Sequence, residues 1–101
     1  MISIIVTNFN KGDFIRKTLE SCRNQLYKNF EIIFFDDCST DNSLKIVKNF
    51  IRQNKQIKFK LIKRKGRKNY NNSYNQISAI IYSMKYTSGE YISLLDADDM
   101  F

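Results

Sequence analysis

Residues 90–99 read EYISLLDADD, an apolar run with aromatic and β-branched members that leads directly into three aspartates. Because Gly89 precedes it where a helix would end, the run predicts a buried strand with acids at its C-terminal tip. Asp96 and Asp98 are two residues apart, so an extended backbone directs both carboxylates to one side. Such a pair suits a hard divalent cation such as Mg²⁺ or Mn²⁺, which commonly shares carboxylates with substrate phosphates. A solvated acidic turn is the alternative, and the upstream sequence bears on the choice.

Length and composition limit the classes of protein. The 101 residues suffice for one modest domain, and 43% hydrophobic residues can build its core. No apolar run approaches the ~18 residues of a membrane span, and Met1 leads into Ile2–Val6 without the basic segment of a signal peptide. Because the chain has no histidine, catalytic triads that use histidine and metal sites with histidine ligands are excluded. Cys22 and Cys38 lack metal-type spacing, which indicates reduced packing residues of a cytoplasmic protein.

The net charge of +7 is unevenly distributed along the chain. Between Asp41 and Glu90 there is no acid, whereas lysine and arginine are frequent there. A basic half indicates an anionic partner, namely nucleotide phosphates, nucleic acid or a lipid surface. The alternative is a solvated basic face that reflects a composition rich in lysine and asparagine.

Three further segments have the pattern of strands. Continuous apolar runs at Ile2–Val6 and Phe30–Phe35 are typical of strands buried on both faces. In the third segment Ile57, Phe59 and Leu61 alternate with lysines, which predicts a strand that is wet on one side and near a sheet edge.

Helical periodicity separates these strands. Asp13 is expected to cap the first helix, and Ser39, Thr40 or Asp41 the second, while Gly89 is expected to end the third. The predicted apolar faces are Ile15, Leu19, Cys22 and Leu26; Leu44, Val47, Phe50 and Ile51; and Tyr74, Ile77, Ile81 and Met84.

Alternating strands and helices predict an α/β fold, with a Rossmann-like, open, mainly parallel sheet and helices on both faces. The carboxyl ends of parallel strands meet at one edge, where ligands bind. Thr7–Asn10, Asp36-Asp37 and 96–99 therefore converge on that edge. Since acids alone would repel one another, a metal and a hydroxyl-bearing ligand are the natural partners. A carboxylate after the second strand can bind ribose hydroxyls, and an aromatic ring after the first can cover a nucleobase.

Four segments, which span the chain in order, resemble family 2 glycosyltransferases of the GT-A fold. They are ISIIVTNFN at 2–10, NQLYKNFEII at 24–33, DDCSTD at 36–41 and GEYISLLDADD at 89–99. The resemblance implies an enzyme that transfers a sugar, with inversion, from a nucleotide-diphosphate donor during synthesis of polysaccharide or another surface glycan. UDP is the commonest donor nucleotide in the family.

The resemblance also implies roles for individual residues. Thr7 and Phe9 flank the base, and Asp37 binds the base or its ribose. Asp96 contacts the ribose or the donor sugar, and Asp98 ligates Mn²⁺ or Mg²⁺.

Two departures from the family pattern bear on these roles. Thr7 stands where the family often has proline. The family also often has a glycine-rich stretch ending in Arg-Asn, from which residues 66–75, GRKNYNNSYN, depart. By resemblance, Arg67 or Lys68 is the candidate for phosphate binding in this stretch. Asp36 is expected to support its own turn.

In the family, the acceptor site and the catalytic base lie beyond the position of Phe101. Residues 1–101 are therefore expected to form the donor-binding part of a longer domain and to carry no catalytic base. The expected acceptor is a glycan or lipid-linked sugar, and the expected location is the cytoplasm, at or near the inner face of the membrane. An unpaired edge on the last strand predicts a possible homodimer.

Two other classes compete with this interpretation. A receiver-type phosphoacceptor domain would have a lone aspartate after a middle strand, but the acids here follow the second and last strands. A non-enzymatic, basic nucleotide- or nucleic-acid-binding domain is favoured by the stretch Lys55–Lys68. That stretch lacks the interleaved aromatic residues of a nucleic-acid motif, so no nucleic-acid partner is expected.

Overall fold

A computed structural model describes residues 1–25, 27–64 and 72–97, with side chains from residue 75 onward in the last range. Seven elements alternate along these ranges. They are β1 Ile2–Asn8, α1 Gly12–Asn24, β2 Phe30–Asp36, α2 Ser43–Gln53, β3 Lys58–Lys63, α3 Asn72–Met84 and β4 Tyr91–Asp96. Every helix in these ranges is too short or too polar to cross a bilayer.

The four strands form one parallel sheet in the order β3-β2-β1-β4. Their register brings the carboxyl ends level, because Thr7 pairs with Phe35 on one side and with Asp96 on the other. Asn8 pairs with Asp36, one step further along. The predicted parallel sheet is confirmed, and its polar strand tips meet at one edge.

The central strands β1 and β2 carry the core. Ile4 and Val6 of β1 are fully buried and belong to one cluster with residues of α1 and α2, whereas Ile5 between them faces the other side of the sheet. On that side the Phe35 ring meets Tyr82 of α3 edge-to-face, with centroids 5.9 Å apart. Helices therefore cover both faces, as predicted. Each buried aliphatic side chain contributes about 1.5–3 kcal/mol to folding.

Cys22 is one of the buried residues of α1 and is a free thiol. Burial raises its pKa to about 12, so the thiol stays protonated and packs as a small apolar group. Its role as a reduced packing residue is thereby supported. Leu26, which was predicted on the same helix face, lies outside the described residues.

One aspartate caps both α1 and α2. The Asp41 carboxylate accepts the Gly12 amide at 2.9 Å through Oδ2 and the Ser43 amide at 2.9 Å through Oδ1. Of the three residues that the sequence offered as the cap of the second helix, Ser39, Thr40 and Asp41, only Asp41 supplies such a bond among the described contacts, from one residue before the N-cap position Asn42. The prediction that Asp13 caps the first is wrong, because Asp13 lies inside the first turn of α1 and the cap comes from the neighbouring loop.

The predicted apolar face of α3 is also wrong for its described members, while the side chain of its fourth member, Tyr74, lies outside the described residues. Ile77, Ile81 and Met84 are 58%, 59% and 47% exposed, and α3 instead faces β1 and β2 with Ala79 and Ser83, which are 1% and 0% exposed. Small residues allow the helix axis to approach the sheet closely. The Ser83 hydroxyl donates to the Ala79 carbonyl at 2.7 Å, which satisfies its polar atom inside the interface.

The strand β4 is not buried as predicted, but it does have the predicted unpaired edge, since it pairs with β1 alone among the described strands. Tyr91, Ile92 and Leu94 are 68%, 41% and 53% exposed. The strand β3 forms the other edge, as predicted.

Gly89 does not end α3, which stops at Met84. A Cβ on Gly89 would lie 2.6 Å from the Met1 carbonyl oxygen and from the Ser3 Oγ. The glycine is therefore required by the close approach of the α3–β4 loop to β1.

Candidate functional site

A cleft of about 270 Å³ opens at the carboxyl edge of the sheet. The tips of β1, β2 and β4 form its floor, and the first turns of α3 form one wall. It is lined by Thr7, Asn8, Phe9, Asn10, Lys11, Asp37, Asn75, Gln76, Ala79 and Asp96. Four residues predicted from sequence, namely Thr7, Phe9, Asp37 and Asp96, thus lie around one cavity.

Thr7 holds a polar group that the described structure leaves unsatisfied. The residue is 5% exposed, and its Oγ1 has no hydrogen-bond partner among the described residues. Its backbone carbonyl accepts the Ala97 amide at 2.9 Å, which fixes the residue beside the tip of β4. Buried polar atoms are usually hydrogen-bonded, so an orphaned hydroxyl on a cleft wall indicates a position for a ligand atom.

The turn that carries Phe9 is held by side-chain amides on both sides. The Asn8 amide donates to Asp36 Oδ1 at 2.9 Å and to Ser39 Oγ at 3.0 Å. Asn10, whose φ of 54° lies in the left-handed region, accepts the Thr40 amide at 2.7 Å. These bonds join the loops after β1 and β2, so the half-buried Phe9 ring is presented to the cleft from a rigid turn.

The two adjacent acids after β2 have different surroundings. Asp36 is 1% exposed and accepts bonds from Asn8 and from the Ser39 amide at 3.0 Å, so it supports the turn as expected. Asp37 lines the cleft, and its Oδ1 lies 2.5 Å from Arg64 Nε. Its amide donates to the Asn8 carbonyl at 2.8 Å, which fixes its position at the strand tip.

Sequence reasoning missed three residues of this site. Arg64 was grouped with the basic stretch, but it follows β3 directly and pairs with Asp37. Lys11 lines the cleft just after the aromatic turn, and Asn75, 3% exposed, lines it from the first turns of α3. A topological signal was available for Arg64 and Lys11, because both follow the carboxyl end of a strand, whereas Asn75 lies within α3.

Three predicted site residues, Arg67, Lys68 and Asp98, lie outside the described residues. Within the described ranges, no three potential ligands cluster as a metal site. Asp96 brings carboxylate oxygens to the cleft, and its Oδ1 accepts the Ala97 amide at 2.9 Å.

Comparison with known proteins identifies the class. The model of the family described as "Glycosyl transferase family 2" matches residues 3–101. The chain therefore belongs to glycosyl transferase family 2, and the resemblance seen in the sequence is confirmed. The competing classes, a receiver domain and a basic nucleic-acid-binding domain, are not favoured.

Individual relatives agree with this assignment. The Escherichia coli enzyme named UDP-Glc:alpha-D-GlcNAc-diphosphoundecaprenol beta-1,3-glucosyltransferase WfaP is 37% identical over 99 residues, which cover 98% of this chain and 36% of that protein. The chain thus spans about a third of the length of this curated relative.

Solved structures share the fold. The Pyrobaculum calidifontis mannosyltransferase PcManGT, in complex with GDP-Man and Mn²⁺, superposes with a TM-score of 0.85 at 20% identity, over 99% of this chain and 28% of that one. S. aureus TarS, in complex with UDP-GlcNAc, gives a TM-score of 0.78 at 27% identity, over 98% of this chain and 27% of that one.

Proposed function

We propose that this chain binds the nucleotide-diphosphate sugar of a glycosyltransferase that transfers the sugar with inversion in the synthesis of polysaccharide or another surface glycan. The observation that carries the proposal is the cleft in which the orphaned Thr7 hydroxyl, the Phe9 ring and the carboxylates of Asp37 and Asp96 converge. The names of the E. coli relative and of the TarS complex support a UDP-sugar as donor.

Individual cleft residues are each assigned to one part of the donor. Phe9 covers the base, and Asp37 accepts hydrogen bonds from the base or its ribose. Thr7 bonds the nucleoside with its orphaned hydroxyl, and Asp96 accepts a hydroxyl of the ribose or the donor sugar. Lys11 lines the same cleft, so its charge favours the diphosphate. Arg67 is proposed as a further phosphate ligand because of its place in the sequence.

A divalent ion, Mn²⁺ or Mg²⁺, is proposed to bind at Asp98 beside Asp96. The described residues fit such an ion, since the strand tip offers carboxylate oxygens and the cleft lining contains neither cysteine nor histidine. The Mn²⁺ of the mannosyltransferase with the same fold is consistent with this choice. When bound, the ion neutralises negative charge on the diphosphate leaving group.

We place the acceptor site and the catalytic base outside residues 1–101, which form the donor-binding part of the domain. Both described carboxylates in the cleft already serve the donor, and an acceptor hydroxyl needs a separate base held close to it. Residues 1–101 alone are therefore expected to transfer no sugar at an enzyme-like rate. The relative's lipid-linked acceptor supports a similar acceptor here, with a cytoplasmic enzyme at the inner face of the membrane.

Calorimetry on the 101-residue chain tests the proposal. The chain is titrated with UDP, GDP, UDP-glucose and UDP-GlcNAc, each with Mn²⁺ and again with a chelator. We expect at least one nucleotide to bind with Mn²⁺ and to bind more weakly with chelator. Equal affinity in both conditions would remove the metal from the proposal. A folded chain that binds no nucleotide diphosphate, but binds oligonucleotides with a steep salt dependence, would favour the nucleic-acid alternative.

A further inference from the structure

Arg64 joins the tip of β2 to α3 behind the cleft. Its Nε lies 2.5 Å from Asp37 Oδ1. One terminal nitrogen of the same guanidinium donates to Ser78 Oγ at 2.7 Å and to the Asn75 carbonyl at 3.2 Å. The guanidinium carbon also lies 5.1 Å from the centre of the Phe35 ring. The side chain is therefore held from three directions.

The backbone of Arg64 is fixed as well. Its amide donates to the Asp36 carbonyl at 2.9 Å, and its carbonyl accepts the Cys38 thiol at 3.0 Å. Cys38 has a φ of 58°, in the left-handed region, so this bond helps to hold a tight turn. Asp36 and Cys38, which flank Asp37 in the chain, are thus both hydrogen-bonded to the backbone of Arg64.

Arg64 does not belong to the cleft lining, whereas Asp37 does. The Asp37 side chain is 7% exposed and that of Arg64 is 23% exposed, so the pair is shielded from water and stronger than a surface ion pair. From these contacts we infer that Arg64 is a positioning residue, which holds the Asp37 carboxylate in the orientation that meets the nucleoside. The inference rests on the proposed function, because it presupposes the role of Asp37 in binding the donor.

The chemistry of the side chain explains why arginine stands here. A guanidinium can donate to Asp37 with one edge and to Ser78 and Asn75 with another at the same time, because its donors form a rigid fork. Lysine has one ammonium on a flexible stem and cannot reproduce both contacts. Arg64 also links α3, which lines the cleft, to the Asp37 carboxylate.

A double-mutant cycle tests the inference. UDP is titrated, in the presence of Mn²⁺, into the 101-residue chain and into the variants Arg64→Ala, Asp37→Ala and the double variant. We expect Arg64→Ala to weaken UDP binding roughly tenfold, as for the loss of a hydrogen bond to a charged group. In the Asp37→Ala background the same change should have no further effect. Lys63→Ala is the matched control, because it removes an exposed cation one residue away.

The variant Ser78→Ala is a second test that perturbs the structure less than Arg64→Ala. It removes a neutral support of the guanidinium while leaving the ion pair, so the chain should stay folded by circular dichroism even if Arg64→Ala does not. Weaker UDP binding in Ser78→Ala, and none of that loss in the Asp37→Ala background, supports the inference. An effect of equal size with and without Asp37 overturns it.

Different results would contradict the proposed donor binding and the positioning role of Arg64. If the parent chain binds UDP and Asp37→Ala weakens it, but Arg64→Ala and Ser78→Ala do not, then the positioning role alone is wrong. If the folded parent chain binds no nucleotide diphosphate, then the proposed function and the positioning role are both wrong.

Discussion

At the scale of single residues, two buried threonines differ in whether their hydroxyls have hydrogen-bond partners within the protein. The hydroxyl of Thr18 lies within hydrogen-bond distance of the Ala97 and Phe14 carbonyl oxygens and shares its single proton between them. The hydroxyl of Thr7, which is also buried, has no hydrogen-bond partner among the described residues. Burial without a partner costs stability, so Thr7 is explained better by function than by folding.

Replacing Thr7 with valine should therefore change stability and binding in opposite directions. Removing an unsatisfied hydroxyl is expected to leave the free energy of unfolding unchanged or raise it by about 1 kcal/mol, while UDP affinity falls. Urea denaturation and calorimetry measure the two effects. Thr18→Val is the matched control and should lose stability. Loss of stability in Thr7→Val would mean that the hydroxyl serves the fold.

The adjacent acids Asp36 and Asp37 offer a second contrast. Asp37→Ala should keep the fold and weaken UDP binding by about 1.5–3 kcal/mol, the value of hydrogen bonds to a charged group. Asp36→Ala should instead lower the free energy of unfolding, since Asn8 and the Ser39 amide lose their acceptor. Circular dichroism with calorimetry distinguishes these outcomes, and an unfolded Asp37→Ala variant would make Asp37 a structural residue.

At the scale of elements, α1 and α2 begin at a shared carboxylate. Asp41 accepts amides from the start of both helices. Burial by itself would raise its pKa, but the hydrogen bonds from Ser43 and Gly12 dominate and lower it. A carboxyl whose pKa is lowered on folding stabilises the protein above its unfolded pKa, and that contribution is lost as the pH falls through the folded pKa.

Asp41→Ala should accordingly destabilise the protein near neutral pH by about 1–2 kcal/mol, a typical value for a lost helix cap. The difference from the parent chain should shrink in acid, where the parent's Asp41 becomes protonated. Thermal melts across the acidic range measure it. Asp13→Ala is the control, because Asp13 caps nothing, and a larger loss in that variant would contradict the assignment.

The edge strand β4 leads to a prediction about association. Its exposed Leu94, 53% accessible, lies on an unpaired edge of the described sheet, next to exposed Ile92. We expect the 101-residue chain to self-associate through this edge, and Leu94→Lys to suppress it, because an edge lysine opposes strand pairing. Sedimentation velocity measures the effect. Phe14→Lys, at an exposed site on α1, should not change the association.

At the scale of the whole molecule, a buried carboxylate joins β1 and β2 to the loop between α3 and β4. Glu31 on β2 is 0% exposed, and its Oε2 accepts the Ser3 hydroxyl and the Ser88 amide, both at 2.6 Å. Its Oε1 lies 3.5 Å from the Lys60 ammonium and 3.6 Å from that of Lys58. Although burial raises the pKa of Glu31, the bonds from Ser3 and Ser88 and the two lysines lower it overall.

Glu31→Ala should lower the free energy of unfolding by about 2–4 kcal/mol, since it leaves a buried hydroxyl and an amide without their acceptor. The sign of the pH effect is that of Asp41: the contribution of Glu31 is present above its unfolded pKa and is lost as the pH falls through the lower folded pKa. Denaturant titrations at several pH values test this. Glu90→Ala, at an exposed position, should behave like the parent chain.

Much of this fold follows from short-range patterns. The apolar runs of β1 and β2, and the helical spacing of Ile15, Leu19 and Cys22, depend on residues near in sequence, and these elements form where predicted. Element order then requires a parallel sheet, which brings Thr7 and Asp96 to one edge. Local periodicity and the handedness of crossovers were therefore enough to predict the parallel sheet and the meeting of its polar strand tips at one edge.

The remaining features depend on contacts between residues far apart in the chain, for which no local pattern exists. Asp41 rather than Asp13 caps α1 because two loops meet. Arg64 reaches Asp37 only because β3 lies beside β2. The helix α3 turns Ala79 rather than Ile81 toward the sheet, since close approach there favours small side chains over large apolar ones. Periodicity determined which elements form, and tertiary packing alone decided which side chains they present to the cleft.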